Sequence, residues 1–189
     1  MLTSFLLDSR MPRAELMAAR IDGDVRSIGS SHLPTDVPST PELRAAALGL
    51  IVPRGVVVEG RAAAWVHGVL PAPSCIVAGR PVSIRPTRGP SSLVIRQVTY
   101  PDDDVTHVGT TAVTSAVRTA LDLARQESAF DLRLATSVAT LLSRAGIDPA
   151  RARTAVSGRT GMPYRLLVLD RLTAVERLAR DLGQPPVTR

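Results

Sequence analysis

Side chains that commonly bind metals or act as nucleophiles are few in this chain and widely spaced. They are His32, His67, His107 and Cys75. None of them has the spacing of a metal-binding motif, so we predict no metal site and no cofactor unless the fold brings them together. A single cysteine excludes an internal disulfide and fits a reducing, cytoplasmic compartment.

Two short segments come nearest to a chemical site. The acidic run Asp102-Asp103-Asp104 precedes His107 and could bind a metal or serve acid–base chemistry, but its position after Tyr100-Pro101 favours a turn. Residues 157–163 form a basic, glycine-containing loop that could bind phosphate through exposed N–H groups. The loop matches no phosphate-binding fingerprint, so we favour a plain connection between helices.

All 23 basic residues are arginine, and the chain contains no lysine. This composition excludes Schiff-base chemistry, Ser-x-x-Lys acyl transfer, a P-loop and nuclease sites that need a lysine. The sequence also has no Gly-x-Ser-x-Gly motif, and no predicted strand carries paired carboxylates with a base. We therefore expect a protein that is not an enzyme, with a nuclease-related enzyme as an alternative.

Charge is distributed unevenly along the chain. Residues 1–60 and 101–149 have net charges of −1 and −3, whereas residues 61–100 and 150–189 each have +5. Phosphate neutralisation supplies much of the affinity for nucleic acids, so a DNA or RNA partner would bind the two basic blocks. A solvated basic surface without a ligand is the other interpretation.

Length and composition allow one domain with a small appendage. Hydrophobic residues make up 44% of the 189 residues and aromatic residues 3%, so we expect a core of Val, Leu, Ile and Ala. No segment has the apolar length of a signal peptide or a membrane span. We therefore expect a soluble cytoplasmic protein with no membrane partner.

The N-terminal segment has the pattern of a helix followed by a strand. Leu16, Met17 and Ile21 recur at helical spacing, and residues 25–28 alternate as in a strand. The proline-rich residues 34–41 predict an extended linker. We therefore predict a segment at residues 1–40, a domain at 41–183 and a tail at 184–189.

The rest of the chain predicts an α+β fold, with a small antiparallel sheet packed against several helices. A helix capped by Thr40 ends at Gly49, and another begins at Thr114 or Ser115. Further predicted helices span residues 60–67, 130–144, 148–156 and 164–182, and short runs at 75–78, 81–85 and 93–99 predict an antiparallel meander. In the last helix we expect buried Tyr164, Val168, Leu172 and Val175, with Arg171, Glu176, Arg177 and Arg180 facing outward.

Two motifs occur in order within this region. The first is Trp65-Val66-His67-Gly68-Val69-Leu70-Pro71, which ends a helix rich in small residues. The second is Thr114-Ser115, two residues, then Arg118-Thr119-Ala120-Leu121-Asp122-Leu123-Ala124-Arg125. In the second motif, Arg118, Asp122 and Arg125 stand four and three residues apart, so we expect them to pair along an exposed or partner-facing edge.

The ordered pair resembles the C-terminal domain of AbiEi-type antitoxins of actinobacterial type IV toxin–antitoxin systems, over about residues 41–126. The resemblance implies autoregulation at operator DNA and neutralisation of a nucleotidyltransferase toxin that need not be bound stably. We expect structural roles for the motif residues Trp65, His67, Gly68, Thr114, Ser115, Arg118, Thr119, Asp122 and Arg125.

The resemblance also implies that a DNA-reading winged helix precedes the domain. Residues 1–40 are too few for a complete one, so we expect a partial winged helix that keeps only its last helix and wing. The candidate DNA contacts are Arg13, Arg20, Arg26, Arg80, Arg85, Arg88 and Arg96. An orphan protein-interaction module that has lost DNA reading is the alternative, favoured by the short N-terminal segment. The net charge of −1 on residues 1–60 also argues against strong DNA binding by this segment on its own.

Overall fold

A computed structural model describes Leu6 and residues 11–81, 90–158 and 163–183. Its contacts divide the chain into two compact units, Met1–Thr114 (unit 1) and Ser115–Arg189 (unit 2). The elements of unit 1 are α1 (Arg13–Ile21), β1 (Val25–Ile28), β2 (Ser31–Pro34), α2 (Pro41–Gly49), β3 (Val57–Val58), α3 (Gly60–Val66), β4 (Ile76–Arg80), β5 (Leu93–Gln97), a 3-10 helix (Asp102–Asp104), β6 (Val105–Val108) and β7 (Thr111–Thr114).

The larger sheet of unit 1 has the strand order β5-β4-β3-β7-β6. Its β3–β4 and β6–β7 pairs are antiparallel, whereas β4–β5 and β3–β7 are parallel. The α+β class is thus confirmed, but the prediction of an antiparallel sheet is wrong. Apolar alternation identifies a strand without fixing its direction, and residues 82–85 of the predicted middle strand lie outside the described residues.

Helix α3 lies in the core of unit 1. Every residue from Gly60 to Val66 except Arg61 is buried, and Ala62, Ala63 and Ala64 leave little side-chain volume between the helix and its neighbours. Trp65 belongs to this core, where a Cβ on Gly29 would lie 3.1 Å from the Trp65 ring.

The predicted ends of α2 and α3 are confirmed. The Thr40 hydroxyl accepts a hydrogen bond from the Leu43 N–H at 3.3 Å. A hydrogen bond from its own backbone N–H, and then one from Thr40, lowers the pKa of the Glu42 carboxyl. Gly68 has a φ of 77° and follows the end of α3, the left-handed conformation that glycine adopts without strain.

The N-terminal helix and strand are present as predicted. Strand β1 continues into a hairpin, with Val25 opposite Pro34 in β2, so the start of the predicted linker is paired. Of the three apolar residues predicted at helical spacing on α1, only Leu16 is buried, whereas Met17 is 37% and Ile21 85% exposed. Apolar spacing marked the helix correctly but overstated how much of its surface is covered.

Unit 2 consists of four helices: α4 (Ala116–Gln126), α5 (Leu132–Arg144), α6 (Pro149–Ser157) and α7 (Arg165–Gly183). Side chains cap the first three, since Ser115, Asp131 and Asp148 each accept a hydrogen bond from a first-turn N–H. The buried apolar side chains of this unit include Leu121, Leu123, Leu134, Val138, Leu141, Leu142, Val156, Val168, Leu172 and Val175.

Two predictions about α7 are wrong. Tyr164 is 71% exposed because the helix begins only at Arg165, so Tyr164 does not lie on its apolar face. Arg171 is buried rather than outward: its Nη1 donates to the Ala124 carbonyl at 3.0 Å, and its guanidinium lies 5.0 Å from the centre of the Phe130 ring. A carbonyl near the end of α4 and an aromatic face together allow this cation to be buried.

We expect Gly79→Ala to destabilise unit 1. A Cβ at this position would overlap the Tyr100 hydroxyl, which is itself hydrogen-bonded to a buried carboxylate. The expected loss is about 1–3 kcal/mol, measured by urea unfolding with the fluorescence of Trp65 as the probe. In a Tyr100→Ala background the same substitution should cost less, and an equal cost in both backgrounds would argue against this overlap.

Candidate functional site

Hydrogen bonds to a buried carboxylate hold the N-terminal end of α3. Glu59 precedes the helix and is 0% exposed. Its Oε1 accepts hydrogen bonds from Nε of Arg96, at 2.9 Å, and from Nη2 of the same guanidinium. Its Oε2 accepts one from the Tyr100 hydroxyl at 2.9 Å. Both carboxylate oxygens are therefore satisfied, and α3 is joined to β5 and the segment after it.

Arg96, a candidate DNA contact, belongs to this cluster. So does Glu59, which was not among the residues predicted from the sequence. Arg96 is 41% exposed but forms an ion pair with Glu59, so it supports the fold. The signal for Glu59 was present in the sequence, since one acid stands between the buried Val57-Val58 strand and a helix of small residues. Acids in such positions are seldom buried unless they are paired.

The end of α3 is bound by two further polar side chains. Nε and Nη2 of Arg44 donate to the Val66 carbonyl at 3.1 and 3.0 Å, which satisfies an acceptor that the helix leaves open. Nε2 of His67 lies 2.9 Å from the Thr114 carbonyl. Because a carbonyl only accepts, this contact places the proton on Nε2. The first motif is thus hydrogen-bonded to Thr114, which is the last residue of β7 and the first residue of the second motif.

The charged residues of the second motif pair as their spacing predicts. Asp122 accepts from Nε of Arg118 at 3.1 Å and from Nη2 of Arg125 at 2.9 Å. The prediction of an exposed or partner-facing edge is wrong for Asp122, which is 1% exposed within the fold, and Thr119 is also fully buried. Spacing along a helix shows which side chains can meet, but it does not show which face becomes covered.

Of the N-terminal candidates, Arg13 and Arg20 are exposed on α1. They are seven residues apart, so they lie on the same helical face. Neither side chain forms a hydrogen bond or an ion pair with another residue of the described part of the chain. Arg26 differs, because its Nη2 donates to the Val37 carbonyl at 2.7 Å.

Of the remaining DNA-contact candidates, the structure describes Arg80 but not Arg85 or Arg88. Nη2 of Arg80 is 3.5 Å from the Gln97 side-chain oxygen, a long contact across β4 and β5. Arg85 and Arg88 lie outside the described residues. The structure therefore brings Arg13 and Arg20 together, and it holds Arg26 and Arg96 in contacts within unit 1.

The structure describes most, but not all, of the residues considered for metal or phosphate chemistry. Within the described ranges, no group of three or more His, Cys, Asp or Glu side chains could hold a metal ion. The acidic run Asp102–Asp104 forms a 3-10 helix before β6, and residues 159–162 of the basic loop lie outside the described residues. Among the described helices, none is long and apolar enough to cross a membrane.

Comparison with known proteins yields no assignment: no protein-family model matches the chain, and no curated protein matches it. The AbiEi resemblance therefore depends on the two motifs. Within unit 1, His67 of the first motif contacts the carbonyl of Thr114, the first residue of the second motif.

We expect the two sides of the Glu59–Arg96 pair to respond unequally to substitution. Arg96→Gln leaves a fully buried carboxylate without its cation, whereas Glu59→Gln leaves an arginine that water reaches. We predict that Arg96→Gln costs about 3 kcal/mol and Glu59→Gln clearly less. Urea unfolding monitored by Trp65 fluorescence measures both, and a larger loss in Glu59→Gln would contradict this explanation.

Proposed function

We propose that this chain is a non-enzymatic transcriptional autoregulator and antitoxin of the AbiEi type, which binds operator DNA and counteracts a nucleotidyltransferase toxin. The observation that carries the proposal is α1, with exposed Arg13 and Arg20, followed directly by the β1–β2 hairpin. A helix and a hairpin in this order correspond to the recognition helix and wing of a partial winged helix.

The charges on α1 support a small number of phosphate contacts. Arg13 and Arg20 are exposed and lie on one face, as a helix against a DNA backbone requires. Glu15, Asp22 and Asp24 are exposed on the same helix or in the turn after it, and they reduce its positive potential. We therefore expect DNA binding through α1 to depend on few phosphates.

The motif contacts support the family assignment within this proposal. The order of the two motifs is the order in the antitoxin domain, and His67 of the first motif contacts the carbonyl of Thr114, where the second begins. Neutralisation of a toxin without a stable complex follows from the resemblance alone. A nucleotidyltransferase gene next to the gene for this chain would support that part of the proposal.

A second candidate is an orphan protein-interaction module, and α1 also carries the observation that favours it. Ile21 is 85% exposed and Met17 37%, so the helix presents apolar surface beside its arginines. Arg26 and Arg96, two of the candidate DNA contacts, are already hydrogen-bonded within unit 1. Under this alternative, α1 would contact a protein and show no preference among DNA sequences.

We expect the purified chain to bind its own promoter DNA more tightly than scrambled DNA. The double variant Arg13→Gln/Arg20→Gln should weaken this binding and reduce the slope of log K against log salt by about 2, since each lost phosphate contact removes about 0.9. Fluorescence anisotropy across a salt series measures both quantities.

The matched control is Arg133→Gln/Arg151→Gln, which removes the same charge from two exposed arginines of unit 2. The control should bind promoter DNA with the salt slope of the unmodified chain. Equal affinity for both DNAs, or no binding at moderate salt, would reject autoregulation by this chain and favour the interaction module. Equal losses in the two double variants would mean that total charge, and not α1, determines binding.

A further inference from the structure

Unit 1 contains a cavity of about 460 Å³ between the segment that joins α2 to β3 and the β6–β7 hairpin. This volume lies within the range of pockets that bind small molecules, roughly 300–1,000 Å³. The polar side chains of its lining belong to Arg54, His107, Thr110 and Thr111. None of the lining residues belongs to α1, β1 or β2, so the cavity is separate from the proposed DNA-contacting elements.

The cavity has an excess of hydrogen-bond donors. Within the described part of the chain, the side chains of Arg54 and His107 have no hydrogen-bond or ion-pair partner. The backbone N–H groups of Arg54 and Gly55 also lack a partner among the described residues, and Gly55 has a φ of 77°. The described lining includes no Asp or Glu, so nothing in it neutralises the guanidinium.

Arg54, Gly55, His107 and Thr110 are exposed, and hydrogen bonds of the fold set the backbone positions of the hairpin residues in the lining. His107 lies directly opposite Ala112 in the β6–β7 register, and both line the cavity. Thr111, also in the lining, uses its hydroxyl to donate to the Ala45 carbonyl at 2.9 Å, which joins β7 to α2. The donors are thus carried by a hairpin and a loop, and the Thr111 hydrogen bond joins β7 of this hairpin to α2, the helix that precedes the loop.

We propose that this cavity binds the phosphate group of a small phosphorylated compound. The guanidinium fork, the imidazole, the Thr110 hydroxyl and two backbone N–H groups together offer more donors than the two oxygens of a carboxylate would use. The apolar lining residues Val52, Pro53, Val56 and Ala112 would contact the uncharged part of the ligand. The inference does not depend on the proposed function.

The test is an amide NMR titration of the full chain with inorganic phosphate, with AMP and with adenosine, which has no phosphate. We expect saturable shifts of the Gly55 and Thr110 amides with the two phosphate probes and none with adenosine. Arg54→Gln should weaken binding about tenfold, the loss of one charged hydrogen bond, and His107→Gln should also weaken it. The control Arg133→Gln, from unit 2, should leave it unchanged.

The same phosphate chemistry could come from a nucleic-acid backbone, so a short duplex DNA is titrated in parallel. Shifts of the two cavity amides with duplex DNA but not with either small phosphate probe would overturn the small-ligand proposal. The absence of saturable shifts with every probe would also overturn it, as would equal binding by the unmodified chain and Arg54→Gln. The salt dependence of promoter binding is measured on α1 variants, so failure here leaves that result unaffected.

Discussion

Helix α3 is held at both ends by polar contacts, and the arrangement of unit 1 depends on them. A helix of seven residues is too short to be stable alone, so its stability must come from its surroundings. Glu59 binds its start to β5 through Arg96, and the Val66 carbonyl binds its end to Arg44. Alanines along the helix allow neighbouring elements to approach closely, which favours burial but leaves little tolerance for added volume.

Local chemistry made part of this structure predictable. Caps such as Thr40, Gly68 and Ser115 depend on residues a few positions away, so the sequence alone locates them. The parallel pairing of β4 with β5 was not predictable, because alternation carries no direction. The burial of Asp122 and Arg171 was also missed, because a charged residue is expected outside until a specific distant partner is known.

Some residues of unit 1 hold α3 in place, and the side chains of others form no hydrogen bond or ion pair within the described part of the fold. Within unit 1, His67 and Gly68 of the first motif support the end of α3, and Arg96 supports its start. Arg13 and Arg20 have no such contacts among the described residues and lie on a helix of which only Leu16 is buried. A side chain that forms no hydrogen bond or ion pair within the fold is available to contact a partner. The proposed DNA contacts therefore lie on α1 and not in the two motifs.

This separation is tested most directly by hydrogen–deuterium exchange of the full chain with and without promoter DNA. Peptides covering α1 and the β1–β2 hairpin should exchange more slowly when DNA is added. Peptides covering α3 should exchange slowly in both samples, because the helix is buried and bound at both ends. DNA-induced protection confined to unit 2, or no protection anywhere, would contradict the proposal that α1 and the hairpin contact DNA.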